Sequence, residues 1–177
     1  MAAERRVFFA LWPEEEIARQ FDAVGRQARK TFGGRRMRRE TLHLTLAFMG
    51  GIAPDRLAAL CAIAGTVKLP IFDMAFDRLQ CQRRKRIVWA FASMVPSGLL
   101  ELADSLHTQL KSGGFRTEER PFAAHVTLLR NSRCATDAPD ASLNIEWPVR
   151  DFVLAESALA PEGAHYHILE RWSLGQT

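Results

Sequence analysis

Apolar positions along the chain change their period several times, and each change marks an element. Val7 to Leu11 is a continuous apolar run of strand length. Ile17, Phe21, Val24 and Ala28 then recur at helical spacing. Pro13 is expected as a first helical residue, Glu14, Glu15 and Glu16 suit the positive end of the helix dipole, and Gly33-Gly34 stops the helix. An Arg-rich loop leads to an apolar strand over Thr41–Phe48 that ends at Gly50-Gly51. Pro54 and Asp55 open a second helix with Leu57, Leu60, Cys61 and Ala64 on one face. Ile71 to Gln80 alternates as a strand, Gln82 to Lys85 is a polar turn, and Ile87 to Ala92 returns, which predicts a hairpin with a basic tip. Pro96 opens a third helix with Leu99, Leu102, Leu106 and Leu110 as its stripe, stopped by Gly113-Gly114. A second short apolar strand covers Ala124–Arg130, residues 131 to 144 read as a loop, and two more strands are expected at Val149–Ser157 and His165–Leu174, joined by a turn at Pro161-Glu162-Gly163.

The two halves repeat this order. Each runs apolar strand, Pro, helix, Gly-Gly, then a His-x-Thr strand. Pro13 to Gly33 spans 20 residues and Pro96 to Gly113 spans 17; from the second Gly to the His is 9 and 11. The expectation is one domain over 1–177, built from degenerate halves at about 5–80 and 86–174, with its two His-x-Thr strands related by a pseudo-two-fold axis.

Those strands carry the candidate chemistry. Side chains on a strand alternate faces, so His43 and Thr45 share one face and Leu42, Leu44 and Leu46 the other. The same parity sets His125 and Thr127 opposite Val126 and Leu128. With nine Thr in the chain, a given His has about a one-in-twenty chance of a Thr two places on, so two such pairs, each followed by Leu, favour function over accident. Two imidazoles can act as acid and base together near neutral pH, and two hydroxyls beside them can hold the oxygens of a phosphate. No carboxylate-rich set for Mg²⁺ and no P-loop is present, so neither a metal nor a cofactor is expected.

Composition narrows the partner. The net charge is +4, and 20 of the 24 basic residues are Arg, the side chain better suited to bidentate phosphate contact. The clusters Arg35-Arg36-Met37-Arg38-Arg39 and Arg83-Arg84-Lys85-Arg86 point to a phosphate-rich partner. No apolar run approaches the ~20 residues of a membrane span, and the N-terminal segment reads as a first strand and not a leader, so the expected setting is the cytoplasm with no membrane partner. Cys61, Cys81 and Cys134 are odd in number and widely spaced, which indicates neither a disulfide framework nor a zinc site.

His43-Leu44-Thr45-Leu46 and His125-Val126-Thr127-Leu128 resemble the paired HxTx motifs of the 2H phosphoesterases. Phe8-Phe9-Ala10-Leu11, His43 to Gly50, Arg120-Pro121-Phe122, Leu128-Leu129-Arg130, Glu156-Ser157 and Trp172-Ser173-Leu174 are similar to the RNA 2′,3′-cyclic phosphodiesterases, also called 2′-5′ RNA ligases, over nearly the whole chain. The resemblance implies a bilobal α+β fold, two antiparallel sheets around a central cleft with helices outside. It implies a metal-independent enzyme that hydrolyses RNA 2′,3′-cyclic phosphate ends to 2′-phosphates; a monomer is the expected state. It also implies ATP-independent, reversible 2′-5′ joining, of tRNA halves in some members. Carried over, His43 is the proton donor, His125 the proton acceptor, and Thr45, Thr127 and Arg130 bind the phosphate. Strict alternation sets Arg130 on the face opposite His125, so that role requires the strand to end or bulge first. Alternatives are a 2H enzyme for a small cyclic nucleotide, a non-catalytic RNA- or nucleotide-binding module, and a metal site at His165 and His167, which lack carboxylate or Cys partners nearby and read as exposed strand residues. His107 reads as a solvent-facing helix residue.

Overall fold

The computed structural model describes residues 3–118, 122–135, 139–160 and 163–175. Arg120 and Pro121, part of the 131–144 segment, and the expected turn at Pro161-Glu162 lie outside the described residues. The elements are β1 (Arg5–Leu11), α1 (Glu15–Phe32), β2 (Arg35–Arg36), β3 (Leu44–Ile52), α2 (Pro54–Ala64), β4 (Phe72–Gln82), β5 (Ile87–Phe91), α3 (Ser97–Ser112), β6 (His125–Arg130), β7 (Pro139–Val149), β8 (Asp151–Ala160) and β9 (Gly163–Ser173). They form two antiparallel sheets, ordered β3-β1-β8-β9 and β2-β6-β5-β4-β7. This is the expected α+β arrangement of two antiparallel sheets with helices outside.

The sheets repeat one plan. In each, the His-x-Thr strand pairs with the apolar strand that opens the repeat: β3 with β1, and β6 with β5. The helix that follows each opening strand crosses to the other sheet. Helix α1 buries Ala18, Phe21, Gly25 and Ala28, and Phe21 meets Phe76 and Trp147 of the second sheet edge-on at 4.9 and 6.0 Å. Helix α3 buries the expected Leu99, Leu102, Leu106 and Leu110 and packs with α2 against the first sheet. One apolar cluster runs through both contacts, from Phe9, Leu44 and Phe152 to Phe76, Leu128 and Trp147. The crossed helices join the lobes through that shared core, so β3 lies against β6.

Several expectations change. Pro13 lies outside α1, which opens at Glu15; Glu14 is the extended N-cap residue, and its carbonyl accepts from the Ala18 N–H. Pro96 is likewise the N-cap and not the first helical residue. Strand β3 continues through Gly50-Gly51 to Ile52, held in register by Arg5, Arg6 and Val7 of β1. The supposed loop of residues 131–144 contains the start of β7, and Val149 is its last residue, not the first of β8. Leu143, Ile145, Trp147 and Val149 do alternate, but Asn144 and Pro148 mask the pattern; as an edge strand, β7 tolerates the missing N–H of Pro148. The Arg-rich loop contributes β2, which pairs with the end of β6.

The cysteine expectation is also corrected. Cys81 of β4 and Cys134 beyond β6 form a disulfide, and Cys61 is free. The paired residues are 53 apart in sequence, and sheet pairing brings their Cα atoms to 5.4 Å, a proximity that linear spacing does not encode. Among the described residues, no helix is long and apolar enough to cross a membrane.

Phe21 is fully buried between α1 and the second sheet. Phe21→Ala should cost about 3–5 kcal/mol and lower the urea midpoint while leaving the slope of the unfolding transition unchanged.

Candidate active site

The inner edges of the two sheets meet around a cleft of about 570 Å³ lined by His43, Thr45, His125, Thr127 and Arg130. All five residues singled out in the sequence therefore share one cavity. Each histidine is oriented in the same way. His43 Nδ1 lies 2.8 Å from the Thr41 carbonyl, and His125 Nδ1 lies 2.8 Å from the Ala123 carbonyl, a contact two residues back in both cases. A carbonyl only accepts, so Nδ1 carries the proton in each neutral ring and Nε2 keeps its lone pair.

Arg130 reaches the cleft because β6 bulges. Thr127 pairs with Trp89 and Leu129 with Val88, so Leu128 is the extra residue. That one-residue slip returns Arg130 to the face of His125 and Thr127. Strand β3 has the same slip at the same offset: Thr45 pairs with Ala10 and Ala47 with Phe9, leaving Leu46 extra. Burial follows suit over the two hexapeptides. His43 and Thr45 are half-buried, Leu44, Leu46 and Ala47 buried and Phe48 exposed; His125 and Thr127 are half-buried, Val126, Leu128 and Leu129 buried and Arg130 exposed. The repeated element order is thus accompanied by a bulge three residues after each histidine.

The flanks of the two rings differ. His43 sits in an aromatic nest, stacked on Trp12 (centroids 5.0 Å apart, planes 10°) with Phe8 at 5.0 Å and Tyr166 edge-on at 5.1 Å. His125 lies 4.2 Å from the Trp89 ring, whose N–H donates to Gln80 Oε1 and whose face has the Lys85 ammonium 5.3 Å from its centroid. Burial pushes His43 down to about 4, against the Thr41 carbonyl, with the positive charges of His125 and Arg130 adding to the fall. His125 is also lowered, by burial first and then by Lys85 and Arg130. Both rings are therefore neutral in the empty cleft at pH 7.

The first arginine cluster divides its work. Arg35 and Arg38 line the cleft, while Arg36 pairs with Asp22 of α1 at 3.4 Å and Arg39 with Glu15 at 3.2 Å. Gly34 makes the approach of β2 feasible: at φ +80°, a Cβ there would stand 2.6 Å from the Arg130 carbonyl. Arg38 also bridges the cleft rim, with its Nη2 3.2 Å from the Ala164 carbonyl and 3.3 Å from His165 Nδ1. From the second cluster, Lys85 lines an adjoining groove beside His125. Two surface expectations are revised. His107 is half-buried, donates to the Ala103 carbonyl and lines that groove; His165 is half-buried at the rim, and His167 is exposed as expected. No group of three or more metal-binding side chains occurs among the described residues, and the described residues lining the main cleft include no carboxylate.

Sequence reasoning missed Trp12, Tyr166, Arg6 and Ser157 as cleft or ring neighbours. Trp12 and Arg6 had a legible signal, since they continue the parity of Phe8 along β1. Ser157 of β8 was legible only as part of the Glu156-Ser157 motif, with no role attached, and Tyr166 of the distant β9 left no signal.

Two His-x-Thr strands facing one cleft between two antiparallel sheets define the two-histidine phosphoesterases. Residues 11–89 match the family described as LigT like Phosphoesterase. An RNA 2′,3′-cyclic phosphodiesterase of Escherichia coli (strain K12) is 34% identical over 176 residues, covering 99% of this chain and all of that protein. One from Thermus thermophilus is 28% identical over 190 residues, covering 96% and 90% of the two chains. The crystal structure of E. coli LigT complexed with 3′-AMP superimposes with a TM-score of 0.87 at 33% identity, over 99% of this chain and all of that one. The chain belongs to the LigT-like phosphoesterase family.

The depressed pKa of His43 has a consequence for stability. An unfolded histidine titrates near 6.5 and the folded one near 4, so between these values the unfolded chain holds the extra proton. The contribution of His43 to stability is present above pH 6.5 and declines as pH falls toward 4. Urea unfolding at pH 7 and pH 5 should show about 2 kcal/mol lost to this group, and His43→Asn should remove that part of the pH dependence.

Proposed function

We propose that the protein hydrolyses 2′,3′-cyclic phosphate at the end of an RNA chain to a 2′-phosphomonoester, by acid–base catalysis between His43 and His125. The observation that carries this reading is the pair of imidazoles, each held through Nδ1 by a carbonyl two residues back and both lining one cleft. His125 takes a proton from water as its oxygen attacks phosphorus. The P–O3′ bond breaks, and His43 delivers its proton to the departing oxygen. Thr45 and Thr127 donate to the non-bridging oxygens, and Arg130 offsets their charge.

The ring flanks support the choice of acid and base. A phosphate anion raises the pKa of both rings, reversing the effect of the cationic surroundings. Lys85 near Trp89 opposes an imidazolium at His125 and so favours that ring as the base, while the Trp12 ring stacked on His43 offsets part of the burial penalty once the phosphate brings its negative charge. The surrounding groups are imidazoles, hydroxyls and guanidiniums, a set that suits an anion and not a metal cation. Arg6, Arg35 and Arg38 add more positive charge than a single cyclic phosphate needs, which favours a polynucleotide over a lone nucleotide. Retention of both His and both Thr in one cleft argues against a non-catalytic module.

His43→Ala and His125→Ala should each lower kcat on a 2′,3′-cyclic phosphate by about 10³-fold or more with unchanged circular dichroism. Near-full activity in either variant would exclude the two-imidazole mechanism, and loss of wild-type activity in EDTA would exclude the metal-free one. The joint variant Arg35→Gln/Arg38→Gln should weaken RNA binding and flatten the slope of log K against log salt by about 1.4, two single-strand phosphate contacts. An unchanged slope would place these arginines away from the RNA backbone.

A further inference from the structure

A second groove of about 440 Å³ adjoins the main cleft and shares Thr45, Phe48 and His125 with it. Its walls come from both lobes, His107 from α3 and Lys85 from the turn between β4 and β5. Lys85 stands close to the histidine pair. Its ammonium lies 5.3 Å from the Trp89 centroid, and that ring lies 4.2 Å from the His125 ring. His107 is half-buried, and its Nδ1 donates to the Ala103 carbonyl at 2.8 Å. A neutral ring so oriented meets a ligand through Nε2, which accepts a hydrogen bond. Glu118 supplies a carboxylate, and apart from the shared residues the rest of the described lining is apolar. One cation, one neutral acceptor, one carboxylate and an apolar surface differ from the hydroxyls and guanidiniums of the main cleft. The carboxylate makes a run of phosphates unfavourable here, and the mixture suits a nucleoside joined to a single phosphodiester.

We propose that this groove holds the second-last nucleotide of the RNA, with Lys85 on the phosphate that joins it to the last nucleotide and His107 Nε2 accepting from its 2′-hydroxyl. The inference rests on the reading of the main cleft as an RNA-end site and adds how the chain behind that end is recognised. The chemistry of the strand supports the pairing. The 2′-hydroxyl and the 3′-phosphate of a ribonucleotide stand on neighbouring ribose carbons, so one cation and one acceptor lining the same groove can take both. The last ribose has no 2′-hydroxyl to offer, because both its 2′ and 3′ oxygens are closed in the cyclic phosphate. The first free 2′-hydroxyl therefore belongs to the second-last nucleotide, and this group is what distinguishes RNA from DNA at a given site. The main cleft thus reads the cyclic end, and the groove reads whether a ribonucleotide precedes it.

Three substrates test this at pH 8, where an ordinary histidine is neutral: ApA ending in 2′,3′-cyclic phosphate, the same dinucleotide lacking only the internal 2′-hydroxyl, and adenosine 2′,3′-cyclic phosphate. Wild-type KM should be about tenfold lower for the full dinucleotide than for its deoxy analogue, the size of one hydrogen bond. His107→Leu should raise the KM of the full dinucleotide to that of the analogue. Lys85→Gln should raise the KM of both dinucleotides about tenfold relative to the mononucleotide, because any effect through His125 falls on all three alike. Equal wild-type KM values for the two dinucleotides would overturn the proposal without recourse to a variant. So would discrimination that persists in His107→Leu, or a Lys85→Gln change of equal size on all three substrates. A wild-type protein that cleaves none of them would instead overturn the reading of the cleft as an RNA-end site.

Discussion

Leu46 and Leu128, each three residues beyond a cleft histidine, are the extra residues of two β-bulges, and the composition of the cleft depends on them. On an unbroken strand the positions after His-x-Thr would continue to alternate, and the fifth residue on would point into the core. A single inserted residue reverses that parity without ending the strand. Both leucines are nearly fully buried, so the core anchors each slip. His, Thr and the fifth residue are thereby held on one face of a continuous strand, which is stiffer support for chemistry than a loop.

The second constraint is the contact between the strands themselves. β3 and β6 belong to different sheets, and nothing in their own hydrogen bonding brings them together. The crossed helices do so: α1 follows a strand of the first sheet and packs on the second, while α3 makes the reciprocal crossing. The shared apolar core they create is the reason the two imidazoles face a common cavity. Electrostatics then works on that geometry. Burial and neighbouring cations keep both rings neutral, so neither imidazole adds to the positive charge that the cleft arginines already hold. In the proposed reaction, the anionic phosphate supplies the opposite charge and permits one ring to carry a proton.

Most of this was legible in local pattern. Helical stripes such as Leu99-Leu102-Leu106-Leu110 survive intact because one helix face meets one core. The His-x-Thr pairs were readable because strand parity is a short-range property, and the resemblance of their surroundings to a known family supplied roles that spacing alone does not. The misses have physical causes. Strand β7 was hidden because Pro148 and Asn144 weaken a strand pattern that an edge position nevertheless tolerates. The cysteine pair was hidden because odd number and wide spacing say nothing of which strands become neighbours.

From the chain alone came most of the elements, their repeated order, five residues that line the cleft and the chemistry those residue types can perform, since each follows from neighbours a few positions apart. The flanks of the two histidines, the bulges that turn Arg130 and Phe48 toward the cleft, and the division of the arginines between α1 and the cleft came from the folded molecule. These depend on which distant strands and helices lie side by side, and hence on the packing of the whole core, which no local period records.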